Sequence, residues 1–312
     1  MDVVIAEDLL GPVPEWFWKK WAVHYDPTLV QDRERLMEAC AKAKALVVRN
    51  RTQVDRALLE RLPDLQVVGR LGVGIENLDL AALREREVAV VIARGGNANA
   101  VAEFVIAAMF EQARFLGRLG VQTKQGLWDR GSGIGQELSG KTLGLIGLGD
   151  IGQRVASRAR VLGMEVVAYD PLLHPTHLAV QDGGVQRATL AEVCAWADYL
   201  SLHVPLTAET RHMIGAEELA LMKPRAVLIN TARGAIVDES ALVRSLRDNP
   251  QRFAILDVRE QEPPEKPDPL AALPNVLLTP HIAGITEESQ AQISQMVLGD
   301  VDRELEKRKA GP

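Results

Sequence analysis

Short apolar runs alternate along this chain with longer segments whose apolar residues recur every three or four positions. The runs at 3–5, 45–48, 66–69 and 88–91 are too short for helices and apolar on both sides of the pleat, as buried parallel strands are. Segments 32–43, 55–61 and 79–87 between them carry helical spacing. Strands alternating with helices predict an α/β domain built on a parallel sheet. Residues 101–116 are different: Val101, Val105, Ile106, Ala108, Met109 and Phe110 leave almost no polar face. Such a helix is expected to be buried, or shared between domains or subunits. The glycine-rich stretch 126–140, with Trp128, predicts an irregular connector. A second strand–helix series then starts at Lys141, with strands predicted at 142–146, 165–169, 199–203, 226–230, 253–256 and 276–279. The mixed-charge helix predicted at 287–309 follows the last strand and is expected to return to the first domain. No internal repeat of 20–50 residues is visible.

Composition narrows the possibilities. A length of 312 residues suits two domains, and 47% hydrophobic with 25% charged residues is an ordinary globular balance. The net charge of −6 offers no footprint for nucleic acid, so none is expected as a partner. Arg84, Arg86, Lys307, Arg308 and Lys309 sit among glutamates or near the chain end and read as solvated helix faces. The two cysteines, Cys40 and Cys194, have no metal-ligand spacing, and a metal site is not expected. They read as small core residues in a reducing compartment. No apolar run approaches the ~20 residues of a membrane span, and the N-terminal Met1-Asp2-Val3-Val4-Ile5-Ala6 reads as a first strand, not a leader. The expectation is a cytoplasmic protein without a membrane partner.

Candidate chemistry begins at Gly147-Leu148-Gly149-Asp150-Ile151-Gly152, a G-x-G-x-x-G pattern between a predicted strand and a helix predicted at 153–162. Gly147 would permit a tight turn, Gly149 a close approach of backbone to a pyrophosphate, and Gly152 close packing of helix on strand. The helix N-terminus would offer amide donors and a positive dipole end. Asp170 ends the following strand eighteen residues beyond Gly152, where a carboxylate accepts ribose hydroxyls and repels an extra phosphate. The next residues, Pro171, Leu172, Leu173 and His174, include no arginine, so NAD is expected as cofactor.

Three later segments follow strands of the same series: Asn230-Thr231-Ala232-Arg233-Gly234, Asp257-Val258-Arg259-Glu260-Gln261-Glu262-Pro263 and Thr279-Pro280-His281-Ile282-Ala283-Gly284. In open α/β sheets, ligands bind beyond the carboxyl ends of the strands. Hydride transfer to a keto acid needs a proton donor at the forming alcohol, which histidine suits. A carboxylate beside that histidine fixes its tautomer, and an arginine offers a planar fork to the substrate's oxygens.

Together these segments resemble the D-2-hydroxyacid dehydrogenase family, especially its short phosphoglycerate dehydrogenases. The resemblance runs nearly end to end. It takes in Val47-Val48-Arg49-Asn50-Arg51-Thr52, Gly72-Val73-Gly74-Ile75-Glu76-Asn77-Leu78-Asp79, the stretch 97–103, Gly126-Leu127-Trp128, and His203-Val204-Pro205-Leu206-Thr207. It implies two doubly wound parallel-sheet domains of α/β class, a Rossmann NAD-binding domain (97–282) inserted in a flavodoxin-like substrate domain (1–96 and 283–312). It implies Arg233, Glu262 and His281 as catalytic residues, with Glu262 preferred to Glu260 because of the Glu-Pro pair. Gly147, Gly149, Asp150, Ile151, Gly152, Asp170, His203, Pro205, Thr231 and Asp257 would serve NAD, Asp257 at the nicotinamide carboxamide. The amides of Val73 and Gly74, with Arg49, Arg233 and His281, would serve a small 2-hydroxy or 2-keto acid. A cleft that closes on the cofactor and a homodimer formed through the helix 101–116 are also implied.

Two positions depart from the family pattern: Ile285 stands where a small or hydroxyl residue is common, and Arg259 where an aromatic is common. They leave phosphoglycerate itself open, alongside glycerate, lactate-like and sulfonated acids. Arg49, Arg51 and Arg259 are extra cations for a second anionic group, or else Arg49 also serves the first carboxylate while Arg51 and Arg259 pair with nearby acids such as Asp55 or Glu260. Alternatives on the same fold are a non-catalytic, NAD-sensing corepressor-like protein and a phosphite dehydrogenase; Glu262 weighs against formate, whose dehydrogenases resemble this chain but carry Gln there.

Overall fold

The structure is a computed structural model that describes residues 1–174 and 176–309. The chain divides into two compact units, Met1–Asn97 with the chain from Ile285 onward, and Ala98–Gly284. Residues 310–312, assigned above to the first domain, lie outside the described residues.

The first unit holds five parallel strands: β1 (Val3–Ile5), β2 (Val23–Tyr25), β3 (Ala45–Val48), β4 (Val67–Arg70) and β5 (Ala89–Ile92), in the order β2-β1-β3-β4-β5. Side chains alternate between two cores. Leu46 and Val48 join Val4 and Val68 on one face; Ala45 and Val47 join Val3, Ile5 and Val67 on the other. The second face is covered by the final helix, Glu287–Lys309, through Ile293, Val297, Leu298, Val301 and Leu305. Gly69 in β4 makes that packing possible, because a Cβ there would stand 2.8 Å from Val297 Cγ1 and 2.9 Å from Val301 Cγ2.

The second unit holds seven parallel strands: β6 (Thr142–Ile146), β7 (Glu165–Tyr169), β8 (Val185–Arg187), β9 (Tyr199–Leu202), β10 (Val227–Asn230), β11 (Phe253–Leu256) and β12 (Val276–Leu278). Their order, β12-β11-β10-β9-β6-β7-β8, reverses between β6 and β9, and ligands bind at such a switch point in open sheets. Again each face has its own core, with Leu143, Leu145 and Ile229 on one and Ile146, Leu200, Leu202 and Leu228 on the other.

Several elements differ from the sequence reading. Strands read at 66–69 and 88–91 begin one residue later, and the helix read from 153 begins at Asp150. β2 and β8 were not visible in the sequence. Both are edge strands of three residues, and Val23-His24-Tyr25 and Val185-Gln186-Arg187 carry no buried run to read. The helix read over 101–116 spans Ala98–Arg114 and stops at Phe115, whose φ of 55° is left-handed. A further helix, Leu116–Lys124, has no buried residue and hence no core-facing stripe to betray it. No described helix is long and apolar enough to cross a membrane.

Candidate active site

The glycine loop links β6 to the helix Asp150–Val161. Gly147 has a φ of +93°, and a Cβ there would stand 2.6 Å from the carbonyl oxygen of His203. Gly152 is closed in the same way, its Cβ position lying 2.3 Å from the carbonyl oxygen of Gly147. At Gly149, which caps the helix, a Cβ would meet nothing within 4 Å, so this stretch of backbone borders open space. That is the cradle a pyrophosphate needs, with twelve residues of helix behind it. Asp150 and Ile151 open the helix. Asp170 follows β7; its Oδ2 accepts the amide of Leu148 at 2.8 Å and its Oδ1 that of Leu172 at 2.9 Å, so it braces the glycine loop.

Immediately beyond the neighbouring strands β10 and β9, two buried polar atoms have no hydrogen-bond partner, Thr231 Oγ1 and His203 Nδ1. The other ring nitrogen of His203 lies 2.9 Å from Ser201 Oγ, and burial pushes the imidazole down to about 4. Pro205 is exposed two residues further on. The open glycine cradle and these two orphaned atoms fit a dinucleotide that completes their bonding.

Beyond β10 the turn 230–233 is shaped by buried Asn230, whose Nδ2 donates to the carbonyl of Arg233 at 2.8 Å and whose Oδ1 accepts the amide of Ala232 at 3.1 Å. The Arg233 guanidinium donates to the Ala232 carbonyl at 2.7 Å. Gly234 is required next, because a Cβ there would fall 1.8 Å from the carbonyl carbon of Arg259. The Arg233 turn and the loop carrying Glu262 thus touch backbone to backbone.

His281 Nδ1 lies 2.7 Å from Glu262 Oε2, while Glu262 Oε1 accepts the amide of Arg259 at 3.0 Å. Burial alone would raise the Glu262 carboxyl. The hydrogen bond to His281, the Arg259 amide and the charges of His281 and Arg233 outweigh it and hold the group below the usual carboxylate range. His281 adopts a left-handed φ of 57°, sparsely populated for a side chain of this size. Asp257 holds it there. Its carbonyl accepts the His281 amide at 2.8 Å, its Oδ1 accepts the Thr279 hydroxyl at 2.5 Å and the Ile282 amide at 2.9 Å, and its Oδ2 accepts the Ala283 amide at 2.8 Å. At 1% exposure this carboxylate is spent on the loop 279–283, although the family resemblance assigns it to nicotinamide. Glu260, the rejected alternative, lies 3.1 Å from His212 and accepts the amide of Glu239.

In the first unit, Arg49 is largely used by its own surroundings. Its Nε donates to the Asp8 carbonyl, and its Nη2 to the Leu9 carbonyl and to Gln290 Oε1 at 2.8 Å. The segment 49–52 is shaped by Glu7, which was not visible as a site residue: 3% exposed, it accepts the amides of Arg49, Arg51 and Thr52. The only sequence signal was a carboxylate standing just beyond a buried strand. Asn77 ties the carbonyls of Arg49 and Thr52 to the stretch holding Val73 and Gly74. Val73 and Ile285 are exposed, and Gly72 has a φ of +144° beside the Arg70 guanidinium. Arg51 is exposed, and the nearby acid Asp55 pairs with Arg33.

The signature described as "D-isomer specific 2-hydroxyacid dehydrogenase, NAD binding domain" matches residues 106–283. The chain is 46% identical to the (S)-sulfolactate dehydrogenase of Chromohalobacter salexigens over 97% of its own length and 98% of that protein's. It is 43% identical to the D-3-phosphoglycerate dehydrogenase of Methanocaldococcus jannaschii over 88% of its length, but spans only 52% of that protein. It resembles the crystal structure of a glyoxylate reductase from Paecilomyes thermophila with a TM-score of 0.85 at 31% identity, covering 98% and 96% of the two chains. The chain belongs to the D-isomer-specific 2-hydroxyacid dehydrogenases. It is an NAD-dependent oxidoreductase that moves a hydride between the cofactor and a small 2-hydroxy or 2-keto acid.

Proposed function

We propose that His281 is the general acid–base of this reaction, Glu262 the carboxylate that orients it, and Arg233 the cation that binds the substrate's carboxylate and carbonyl oxygen. The 2.7 Å contact between His281 Nδ1 and Glu262 carries the reading. With Nδ1 committed to Glu262, Nε2 is the nitrogen that faces reaction chemistry. The glycine loop, Asp170, Thr231 and His203 would hold NAD(H), with Asp170 at the ribose, and the bound cofactor would supply the hydride for the keto carbon. His281 delivers the balancing proton from Nε2 to the carbonyl oxygen, giving the alcohol, and is reprotonated from solvent. Glu262 stabilises the imidazolium beforehand, and Arg233 polarises the carbonyl.

The cofactor assignment predicts a switch. Asp170→Ala combined with Pro171→Arg should move the ratio of kcat/KM for NADPH over NADH upward by at least about tenfold, since a carboxylate repels the extra phosphate and an arginine pairs with it. An unchanged ratio would place Asp170 away from the ribose.

For the substrate we propose an acid bearing a second anionic group, with Arg49, Arg51 and the amides of Val73 and Gly74 as ligands. Support comes from the relatives, named for sulfolactate and phosphoglycerate, and from Arg51, which is exposed. Arg259, proposed from the sequence as a third cation, drops out because two carboxylates already hold it. Arg51→Ala should raise KM roughly tenfold or more for 3-sulfopyruvate and leave pyruvate within about twofold, as one charge-assisted contact of ~1.5–3 kcal/mol implies. Equal effects on both acids would show that Arg51 does not read the far end.

We also propose a homodimer in a cytoplasmic setting, where thiols such as Cys40 and Cys194 stay reduced. Leu116, Val121, Leu127, Trp128 and Ile134 are all more than half exposed, an apolar display that a second copy would cover. Trp128→Glu should convert a dimer to a monomer in sedimentation equilibrium; an unaltered mass would exclude this surface.

A further inference from the structure

We infer that Arg259 is a positioning residue for hydride transfer: by clamping Glu239 and Asp268 together it fixes the loop from which Glu262 reaches His281. This rests on the assignment of Glu262 and His281 proposed above, and takes the departure from the family pattern at 259 as its starting point.

The guanidinium makes two forks. Nε and Nη2 each donate to Glu239 at 2.9 Å; Nη1 and Nη2 donate to Asp268 at 2.6 and 3.0 Å. Four of the five N–H donors of an arginine are therefore spent, and one positive charge faces two negative ones. Such a group does not attract an anionic substrate. Its side chain is 9% exposed, as is that of Asp268, so both charges have left water and depend on each other. Desolvation would lower the Arg259 guanidinium, but the hydrogen bonds it donates to Asp268 and Glu239 outweigh that and raise it further, and Asp268 is held below the usual range.

Position along the chain gives the clamp its purpose. Residues 260–267 are all exposed, and include Pro263, Pro264 and Pro267. This segment has no buried apolar side chain to anchor it, yet it carries Glu262. The Arg259–Asp268 pair closes it at its base, and Glu239, first residue of the helix Glu239–Asp248, moors that base to the body of the unit. The mooring is doubled in the main chain: the Glu260 amide donates to Glu239 Oε1 at 2.8 Å, and the Glu239 amide to Glu260 Oε1 at 3.0 Å. The amide of Arg259 itself donates to Glu262 Oε1, so a shift of residue 259 moves the carboxylate directly. Gly234 packs on the same peptide, which extends the effect to Arg233. An aromatic at 259 could secure the loop by apolar burial; here charge pairing does it, with directional bonds.

The test is the pH dependence of kcat/KM for keto-acid reduction by the whole enzyme, in Arg259→Lys, Asp268→Asn and, alongside them, Glu262→Gln. Reduction needs a proton on His281, and Glu262 favours that form, so activity declines toward alkaline pH and the profile has a midpoint on that side. Loosening Glu262 should lower that midpoint. Arg259→Lys, which keeps the charge but loses the fork, and Asp268→Asn should each lower it by roughly half to one unit. Each should also reduce kcat about tenfold, with NADH affinity within about twofold. A merely structural role would scale the rate with the folded fraction, measured by thermal melting, and leave the midpoint in place. The inference is overturned if Glu262→Gln moves the midpoint while Arg259→Lys and Asp268→Asn do not. If Glu262→Gln itself leaves the midpoint unmoved, the assignment of the catalytic pair fails, and the inference with it.

Discussion

Replacing His281 by alanine is expected to cut keto-acid reduction by about 10²–10⁴-fold while NADH still binds with near-normal affinity. The two observables separate because the structure separates their causes. The proton donor is one side chain on the loop 279–283, held by Asp257 and paired with Glu262. The proposed cofactor site rests on other features: the backbone of the glycine loop, the N-terminus of the helix Asp150–Val161, and Asp170. Removing an imidazole that is 44% exposed leaves a solvent-filled notch, not a core cavity, so little stability should be lost. Alanine is less favoured than histidine in the left-handed backbone at 281 but can adopt it, so the added strain is small. Stopped-flow or steady-state assay at neutral pH, with fluorescence titration of NADH, measures both quantities. Turnover within tenfold of the parent enzyme would remove His281 from the role of general acid.

Gly234→Ala should be almost as damaging, for a reason of packing. A methyl group at 234 would overlap the main chain of Arg259 and Glu260, with the nearest atoms at 1.8, 1.9 and 2.3 Å. No side chain can rotate away to relieve it, so the two loops must separate. One carries Arg233 and the other Glu262. A displacement on the order of 1 Å in positioning can cost about 10²-fold in rate, and overpacking costs about 1–3 kcal/mol. The expected result is a fall in kcat/KM of roughly 10²-fold with a melting temperature lowered by about 2–12 °C, using ~2–4 °C per kcal/mol for a domain of this size. Parent-like kinetics in this variant would mean that the contact between the two loops does not govern the catalytic geometry.

The Arg259 clamp shows where reading the sequence stops. Its partners stand twenty positions before it and nine after it, and the same acids could as well have faced water. From sequence alone Arg259 was either a cation for an anionic ligand or the partner of a nearby acid such as Glu260; in the fold it pairs with acids, but they are Glu239 and Asp268. Glu260 and Glu262 illustrate the same limit at shorter range. Two carboxylates one residue apart have the same chemistry, and only the path of the loop sends one to His212 and the other to His281. Glu7 stayed silent because three backbone amides, which every residue possesses, are what it holds.

By itself the sequence determined the α/β class, the central strands and the glycine loop. Those features are written in contiguous stretches: a buried parallel strand must be apolar on both faces, and a phosphate-binding turn needs its glycines within six residues. The tertiary structure alone decided the edge strands β2 and β8, whose few contacts leave no hydrophobic signature, and the break at Phe115, which no proline or glycine marks. It decided as well which charges meet, since Coulomb pairing and desolvation act on distances through space, and those exist only once each unit has folded and brought its own distant segments together.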